Sequence, residues 1–441
     1  MKKEVEIKFE TDLPGDEYKL ENNIFQIPLI SNPEKLNQLL NKLLFFDPPK
    51  KFNFLIQNSI LTTSLEEYIN SNMLTTEQTI KIYYILEVEE PKKQNTIKED
   101  EWIRCIENLK IMKYNPKTAE DYCVGLFNGE ISFYSGKTND KIYRLKETTQ
   151  ADEDTLIMLN DIKFIRLNNE NENHILIKVC KNSNNIYDIY HIDLNGSTNT
   201  LLYTESKKDN EYYNNIDINP SNFNSFSLAG TENDKGVVKI FKIPEDIFIK
   251  ETKNINSARK KKKIDATNLE AELTFENLHK SICLSSTFLD NEYISTFGDD
   301  YILNIYNINK KNLFMTYNTN YKNASSMVRV NNKNFLVGYI DGTVKLYDLN
   351  VNKAVNIFKD SKSTYGYISD ISMSNDKENH PMTFVTSSYD SYLRIWDIRA
   401  GRSPLYQIGT DETEKNYAAK FSGNNNIISG GDGSTINIFH Y

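Results

Sequence analysis

A chain of 441 residues, 39% of them hydrophobic, is long enough for two separate cores, and its 61 acidic against 52 basic side chains leave a net charge of -9 that excludes polyanion binding by bulk electrostatics. Cys105, Cys123, Cys180 and Cys283 form no CxxC pair, so neither a disulfide framework nor a zinc site is indicated, and a reducing compartment is expected. No apolar run is long enough to cross a bilayer, and a soluble intracellular protein without a membrane partner is expected.

At the N-terminus Val5, Ile7 and Phe9 alternate with charged residues, the period-2 pattern of a half-buried strand and not of a signal peptide. Pro14-Gly15 breaks that run, and a second strand is expected over 24–27. Ser31-Asn32-Pro33-Glu34 then reads as a helix start, a capping side chain before a proline suited to the first helical position. Leu36, Leu39, Leu40, Leu43 and Leu44 give that helix one apolar face, and Asp47-Pro48-Pro49 ends it. Phe52, Phe54 and Ile56 form a third strand, 64–69 a short helical turn, and Ile80, Ile82 and Tyr84 a last strand. The order ββαβ, short helix, β predicts a ubiquitin-like roll over residues 1–88. Residues 87–101 are mostly charged and contain Pro91, so 89–100 is expected to be a mobile linker.

From residue 120 onward, short strands end in an aromatic followed by a polar residue. The markers are Tyr134, Tyr190, Phe241, Tyr306, Tyr347, Trp396 and Phe439. Their mean spacing of about 51 residues exceeds the ~40 to 45 of a WD40 blade, so insertions are expected in an otherwise seven-bladed β-propeller over 101–441. Only Tyr347-Asp348 and Trp396-Asp397 keep a WD-like dipeptide. The C-terminal strand 435–441 is expected to be completed by an outer strand from 102–107, with the front domain hanging from that closure.

The segment FNFLIQNSILTTSLEEYI, followed by LTTEQTIKIYYI and DEWIRCI, resembles the NLE domain that precedes WD-repeat propellers in ribosome-assembly factors. The corresponding residues are Asn53-Phe54-Leu55-Ile56, Leu61-Thr62-Thr63-Ser64-Leu65, Thr75-Thr76-Glu77 and Ile82-Tyr83-Tyr84. The chain departs from the family at Thr62, where Arg is usual, and at Asn32-Pro33-Glu34 in place of Gly-Leu-Ser. With the propeller behind it, the match is to the Ytm-type, WD-repeat protein 12 family of ribosome biogenesis factors. The fold class is therefore expected to be an α+β ubiquitin-like NLE domain followed by an all-β seven-bladed WD40 β-propeller.

That resemblance implies a non-enzymatic assembly factor for the 60S subunit and its rRNA maturation, in the nucleolus and nucleoplasm of the nucleus. It implies a PeBoW-like complex with the block-of-proliferation protein, contacted by the propeller, and with pescadillo, on a pre-60S particle that includes pre-rRNA. It also implies that Glu77 completes, in trans, the Mg²⁺ site of the MIDAS domain of Midasin, an AAA ATPase, with no cofactor of the chain's own. A hard Mg²⁺ ion takes carboxylate oxygens readily. Without the resemblance Glu77 reads as a solvated loop carboxylate. A Notchless-type NLE-WD40 factor and a ubiquitin-ligase substrate receptor are the alternatives.

Arg259, Lys260, Lys261, Lys262 and Lys263 lie in a basic insertion at about 245–275 and read as a nuclear localisation signal, an RNA contact or a solvated loop. There is no Walker loop, GxSxG elbow or HExxH, His174, His191, His279, His380 and His440 do not cluster with acids at ligand spacing, and no small-molecule substrate is expected. His279 reads as part of an inter-strand hydrogen-bond network, and Tyr339 and Tyr389 as partner-binding or interblade aromatics.

Overall fold

The computed structural model describes residues 4–75, 77–111, 121–146, 157–166, 174–181, 184–208, 210–244, 269–319, 323–360, 366–374, 376, 380–401, 403–410, 414–423 and 425–441. Val5, Ile7 and Phe9 are buried on one side of strand β1 (Glu4–Glu10), as their alternation predicts. Strand β2 (Ile24–Pro28) pairs antiparallel with β1. Helix α1 (Pro33–Leu44) begins where the Asn32 side chain accepts from the Lys35 amide at 3.1 Å with proline in the first turn, and it ends at Phe45 in the left-handed region. Its leucine face closes the core, with Leu36 and Leu40 fully buried.

Strand β3 (Phe52–Ile56), the two-residue strand β4 (Ser59–Ile60), helix α2 (Leu65–Ser71) and strand β5 (Ile80–Leu86) complete the domain. The sheet order is β2-β1-β5-β3-β4, with β1 and β5 parallel and the other pairs antiparallel. Asn37 fixes α1 on the sheet by donating to the Phe52 carbonyl and accepting from the Phe52 amide, both at 2.9 Å. A long helix across this mixed sheet is the roll predicted from the sequence.

The remaining strands form seven further sheets, arranged as blades I (103–145), II (158–206), III (211–279), IV (283–318), V (324–359), VI (368–409) and VII (416–440). The innermost strand of each blade contacts that of the next, and blade VII returns to blade I, so the ring is closed. All seven marker aromatics fall on the third strands of their blades and are buried, because a third strand is sandwiched between neighbours within the sheet and covered by the adjoining blade. Blade II carries a short fifth strand, Lys110–Ile111, parallel to its innermost strand. The stretch expected as an insertion ends earlier than the sequence suggests, since Ala271–His279 is the outer strand of blade III.

The closure differs from the expectation. The outer strand of blade VII is strand β6 (Lys92–Lys98), antiparallel to 435–440 with Thr435 opposite Lys98 and His440 opposite Lys92. Residues 103–108 form the innermost strand of blade I. Most of the supposed linker is therefore a structural strand. Glu99 follows β6 and locks it to the neighbouring blade: its amide donates to the Ser434 carbonyl at 2.8 Å, and its buried carboxylate meets Lys141 Nζ at 2.8 Å and accepts from the Tyr134 hydroxyl.

Nor does the front domain merely hang from the closure. Leu55 and Ile85 pack on Ala400 of blade VI, Val88 is buried among the apolar side chains of blades VI and VII, and the Tyr406 hydroxyl donates to the Val88 carbonyl at 2.9 Å. Gly401 lies so close to the Asn58 carbonyl that a Cβ there would sit 2.3 Å from its oxygen. The domain is docked on the flank of blade VI.

Candidate functional site: the Glu77 loop

Glu77 stands on the connection between α2 and β5, and both ends of that connection are fixed. At the near end the Ser64 side chain accepts from the Glu67 amide and caps α2. Helix α2 ends where the Asn72 amide and side-chain amide both reach the Tyr68 carbonyl, at 3.0 and 2.9 Å, and the Leu74 amide reaches Ile69. The Tyr68 hydroxyl ties the helix to β3 by donating to the Ile56 carbonyl at 2.7 Å, and Leu74 packs on the core. At the far end Ile80 is buried opposite Ile7, and the Thr79 hydroxyl donates to Glu6.

Between these anchors Thr75, Glu77, Gln78 and Thr79 are exposed, and Thr76 lies outside the described residues. Among the described residues no cation or donor is paired with the Glu77 carboxylate. Its oxygens are therefore available to an outside ligand, on a loop whose base is held by hydrogen bonds and core contacts. Met73, 93% exposed and in the left-handed region, projects from the same connection.

Beside the loop runs a cleft of about 610 Å³ between the two domains, lined by Glu10, Asp12, Asn58, Gln78, Tyr83 and Arg399. Glu77 is not one of its lining residues. Lys8, through its hydrogen bond, and Lys81 hold the Glu10 carboxyl below the usual carboxylate range, although the little burial it has works the other way. Burial and a hydrogen bond to Asp12 push the Tyr83 hydroxyl well up, so it remains a donor at the docked interface. The sequence reading missed this interface. Gly401, in the left-handed region just after Arg399-Ala400, is the one local sign of a close approach.

The other singled-out residues separate clearly. Arg259, Lys260, Lys261, Lys262 and Lys263 lie outside the described residues, between the third and outer strands of blade III. His279 is buried, its ring nitrogens 3.0 Å from Asp300 Oδ1 and 2.9 Å from Thr296 Oγ1, which places it in the inter-strand network expected of it. Tyr339 is fully buried with its hydroxyl 2.6 Å from that of Tyr347, so it serves the interior of blade V. Tyr389 is half-buried at one mouth of the propeller channel.

Residues 5–69 match the NLE (NUC135) domain, and residues 353–397, spanning the outer strand of blade V and three strands of blade VI, match the WD domain, G-beta repeat. The chain is 30% identical over 104 residues to a ribosome biogenesis protein WDR12 homolog of Chlamydomonas reinhardtii, an alignment covering 24% of this chain and 23% of that protein. Two other alignments run nearly end to end. One is to the WDR12 homolog of Nematostella vectensis, 20% identical over 99% of each chain, and the other to ribosome biogenesis protein YTM1 of Saccharomyces cerevisiae (strain ATCC 204508 / S288c), 21% identical over 99% of this chain and 97% of that one. The chain is of the WDR12/YTM1 type. The NLE domain, the propeller and the full-length alignments agree on this, and Glu77 of the WDR12/YTM1-type chain lies just beyond the matched NLE segment.

Proposed function

We propose that this WDR12/YTM1-type chain is a non-enzymatic assembly factor of the large (60S) ribosomal subunit and its rRNA maturation, working in the nucleolus and nucleoplasm. Its propeller holds the block-of-proliferation protein, and through it pescadillo, on the precursor particle with its pre-rRNA. Its NLE domain offers Glu77 to the MIDAS domain of Midasin for ATP-driven release. The observation that supports this most directly is the exposed Glu77 carboxylate, without a partner among the described residues, on a loop anchored at both ends. A carboxylate so placed can exchange with a water on a Mg²⁺ ion held by a partner. The docked interface with blade VI favours the reading, since a pull on Glu77 would pass into the propeller through Ile85, Val88 and β6 rather than through a slack tether. For the basic run 259–263 we propose nuclear import or an RNA-phosphate contact.

Capture of a Midasin MIDAS fragment by the full chain tests the assignment. Glu77→Ala abolishes capture, and Glu77→Asp weakens it because the carboxylate is withdrawn by one methylene. Undiminished capture by Glu77→Ala would remove the role given to this residue.

A further inference from the structure

At one mouth of the propeller channel, blades VI, VII and I present a continuous run of aromatic rings. Because the first two strands of each blade are antiparallel, the start of the innermost strand and the end of the second lie at the same mouth. Tyr367 precedes the innermost strand of blade VI and Tyr389 follows its second strand, Tyr417 opens the innermost strand of blade VII, and Trp102 and Phe127 occupy the equivalent places in blade I. Tyr367 and Tyr389 stack at 4.3 Å between centroids, Tyr389 meets Tyr417 edge-on at 5.3 Å, Tyr417 meets Phe127 at 5.4 Å, and Phe127 meets Trp102 at 5.8 Å. Trp102 is 48% exposed and the other four are half-buried, so the run is open to solvent.

Arg104 is set among these rings. Its guanidinium lies 5.9 Å from the centroid of Phe127, and its charge is felt by the hydroxyls of Tyr367, Tyr389 and Tyr417. Among the described residues no carboxylate pairs with it. The acids lining the channel below are already committed. Asp161 accepts from the Ile216 amide at 2.9 Å and faces Lys163, Asp370 accepts from the Ala419 amide at 3.3 Å and faces Lys420, and Asp217 accepts from the Phe288 amide at 2.8 Å. Glu107 lies 3.7 Å from Lys163 and 4.0 Å from Lys420. Among the described residues that line the channel, Arg104 is the cation with no carboxylate partner. At the rim of the same mouth Lys415 Nζ lies 5.6 Å from the Tyr389 centroid, and the Lys415 amide donates to Asp432 Oδ1 at 2.7 Å.

A planar guanidinium donates two parallel hydrogen bonds to a carboxylate, and rings around it exclude water and strengthen the pair. We propose that this mouth is a binding site for an aspartate or glutamate side chain of a protein partner, presented beside an aromatic side chain that stacks on Trp102 or Tyr417. A single carboxylate suits the site better than a strand of phosphates, because the channel beneath carries Glu107, Asp161, Asp217 and Asp370 against Lys163 and Lys420. None of its residues belongs to the Glu77 loop.

Trp102 provides the readout, since the only other tryptophan, Trp396, is 1% exposed inside blade VI. The full chain is titrated with acetyl-Phe-Glu-Phe-amide, with the same peptide carrying Gln, and with decauridylate, and tryptophan emission is followed. The expected result is a saturable change with the Glu peptide. Binding weakens by about tenfold or more for the Gln peptide and for Arg104→Gln, while Arg104→Lys keeps part of it. An unchanged denaturant midpoint for Arg104→Gln excludes loss of fold as the cause. No response to the Glu peptide, equal responses to the Glu and Gln peptides, or tighter binding of decauridylate would overturn the proposal, the last by giving the mouth to RNA.

Discussion

Replacing Gly401 by alanine tests whether the two domains are docked as a unit. Gly401 has φ 77°, and an alanine held there costs about 1 to 2 kcal/mol for the left-handed backbone alone. The new Cβ would also lie 2.3 Å from the Asn58 carbonyl oxygen. That carbonyl belongs to a turn in which Gln57 and Asn58 both have positive φ, 50° and 62°, so it has little freedom to retreat. Opening the contact to at least 3.0 Å moves the facing surfaces apart by roughly 0.7 Å. A gap of that size forfeits about a quarter to a half of the dispersion energy at the Leu55–Ile85–Ala400 contact. The added loss is about 1 kcal/mol of docking, or roughly fivefold more of the undocked state. Gly342→Ala is the control, since Gly342 has φ 75° and its nearest neighbour, Gly366, belongs to the propeller. Hydrogen exchange at 85–88 reads the docked state, and denaturant unfolding reads the shared backbone cost. Both variants lose stability, but only Gly401→Ala exchanges faster at 85–88. Equal exchange in the two variants would refute the docking argument.

Glu99→Gln keeps the shape of the closure but removes the charge that meets Lys141, and is expected to cost about 1 to 2 kcal/mol, kept modest because Lys141 is one-third exposed and regains water. A lowered denaturant midpoint with faster exchange across 92–98 is the expected outcome, and an unchanged midpoint would contradict the locking role. The acid limb of stability gives a further prediction. Burial alone would raise the carboxyl pKa of Glu99 and Asp300, yet hydrogen bonds from Lys141 and Tyr134 to Glu99, and from His279 and the Lys280 and Ile302 amides to Asp300, hold both below their ordinary values. Groups depressed in the folded state contribute stability above their unfolded pKa and lose it as pH falls through the folded one. Stability measured by urea unfolding should therefore fall as pH drops below about 4.5. Glu99→Gln and Asp300→Asn should each flatten that fall, since neither replacement titrates, and an identical acid slope in the variants would count against the linkage.

The elements read correctly from the sequence are those whose side chains record burial, on one face or on both. The alternation of Val5, Ile7 and Phe9 and the leucine face of α1 report burial directly, and the seven marker aromatics do so because third strands of blades are covered on both sides. Strand β6 shows the converse. KKQNTIK is an outer strand with solvent on most of its surface, only Ile97 half-buried, and it is held by backbone hydrogen bonds to 435–440. Its side chains therefore have the composition of a linker. The mouth of the channel was hidden for another reason. Trp102, Phe127, Tyr367, Tyr389 and Tyr417 are scattered over more than half the chain, and only ring closure brings them together. Glu77 is singled out by the resemblance alone, because an exposed loop carboxylate has no local pattern that separates it from other surface acids.

The central claim is that the Glu77 carboxylate is a ligand to a metal held by Midasin. Calorimetric titration of the full chain against the MIDAS domain, with Mg²⁺ and after chelation, tests it most directly, using Glu77→Gln as a variant of nearly equal shape. The account predicts saturable binding by the unaltered chain with Mg²⁺, and loss of at least about a hundredfold in affinity on chelation and, separately, on Glu77→Gln, as expected when a charged metal ligand is removed. Binding that persists unchanged after chelation, or that Glu77→Gln leaves intact, would contradict it.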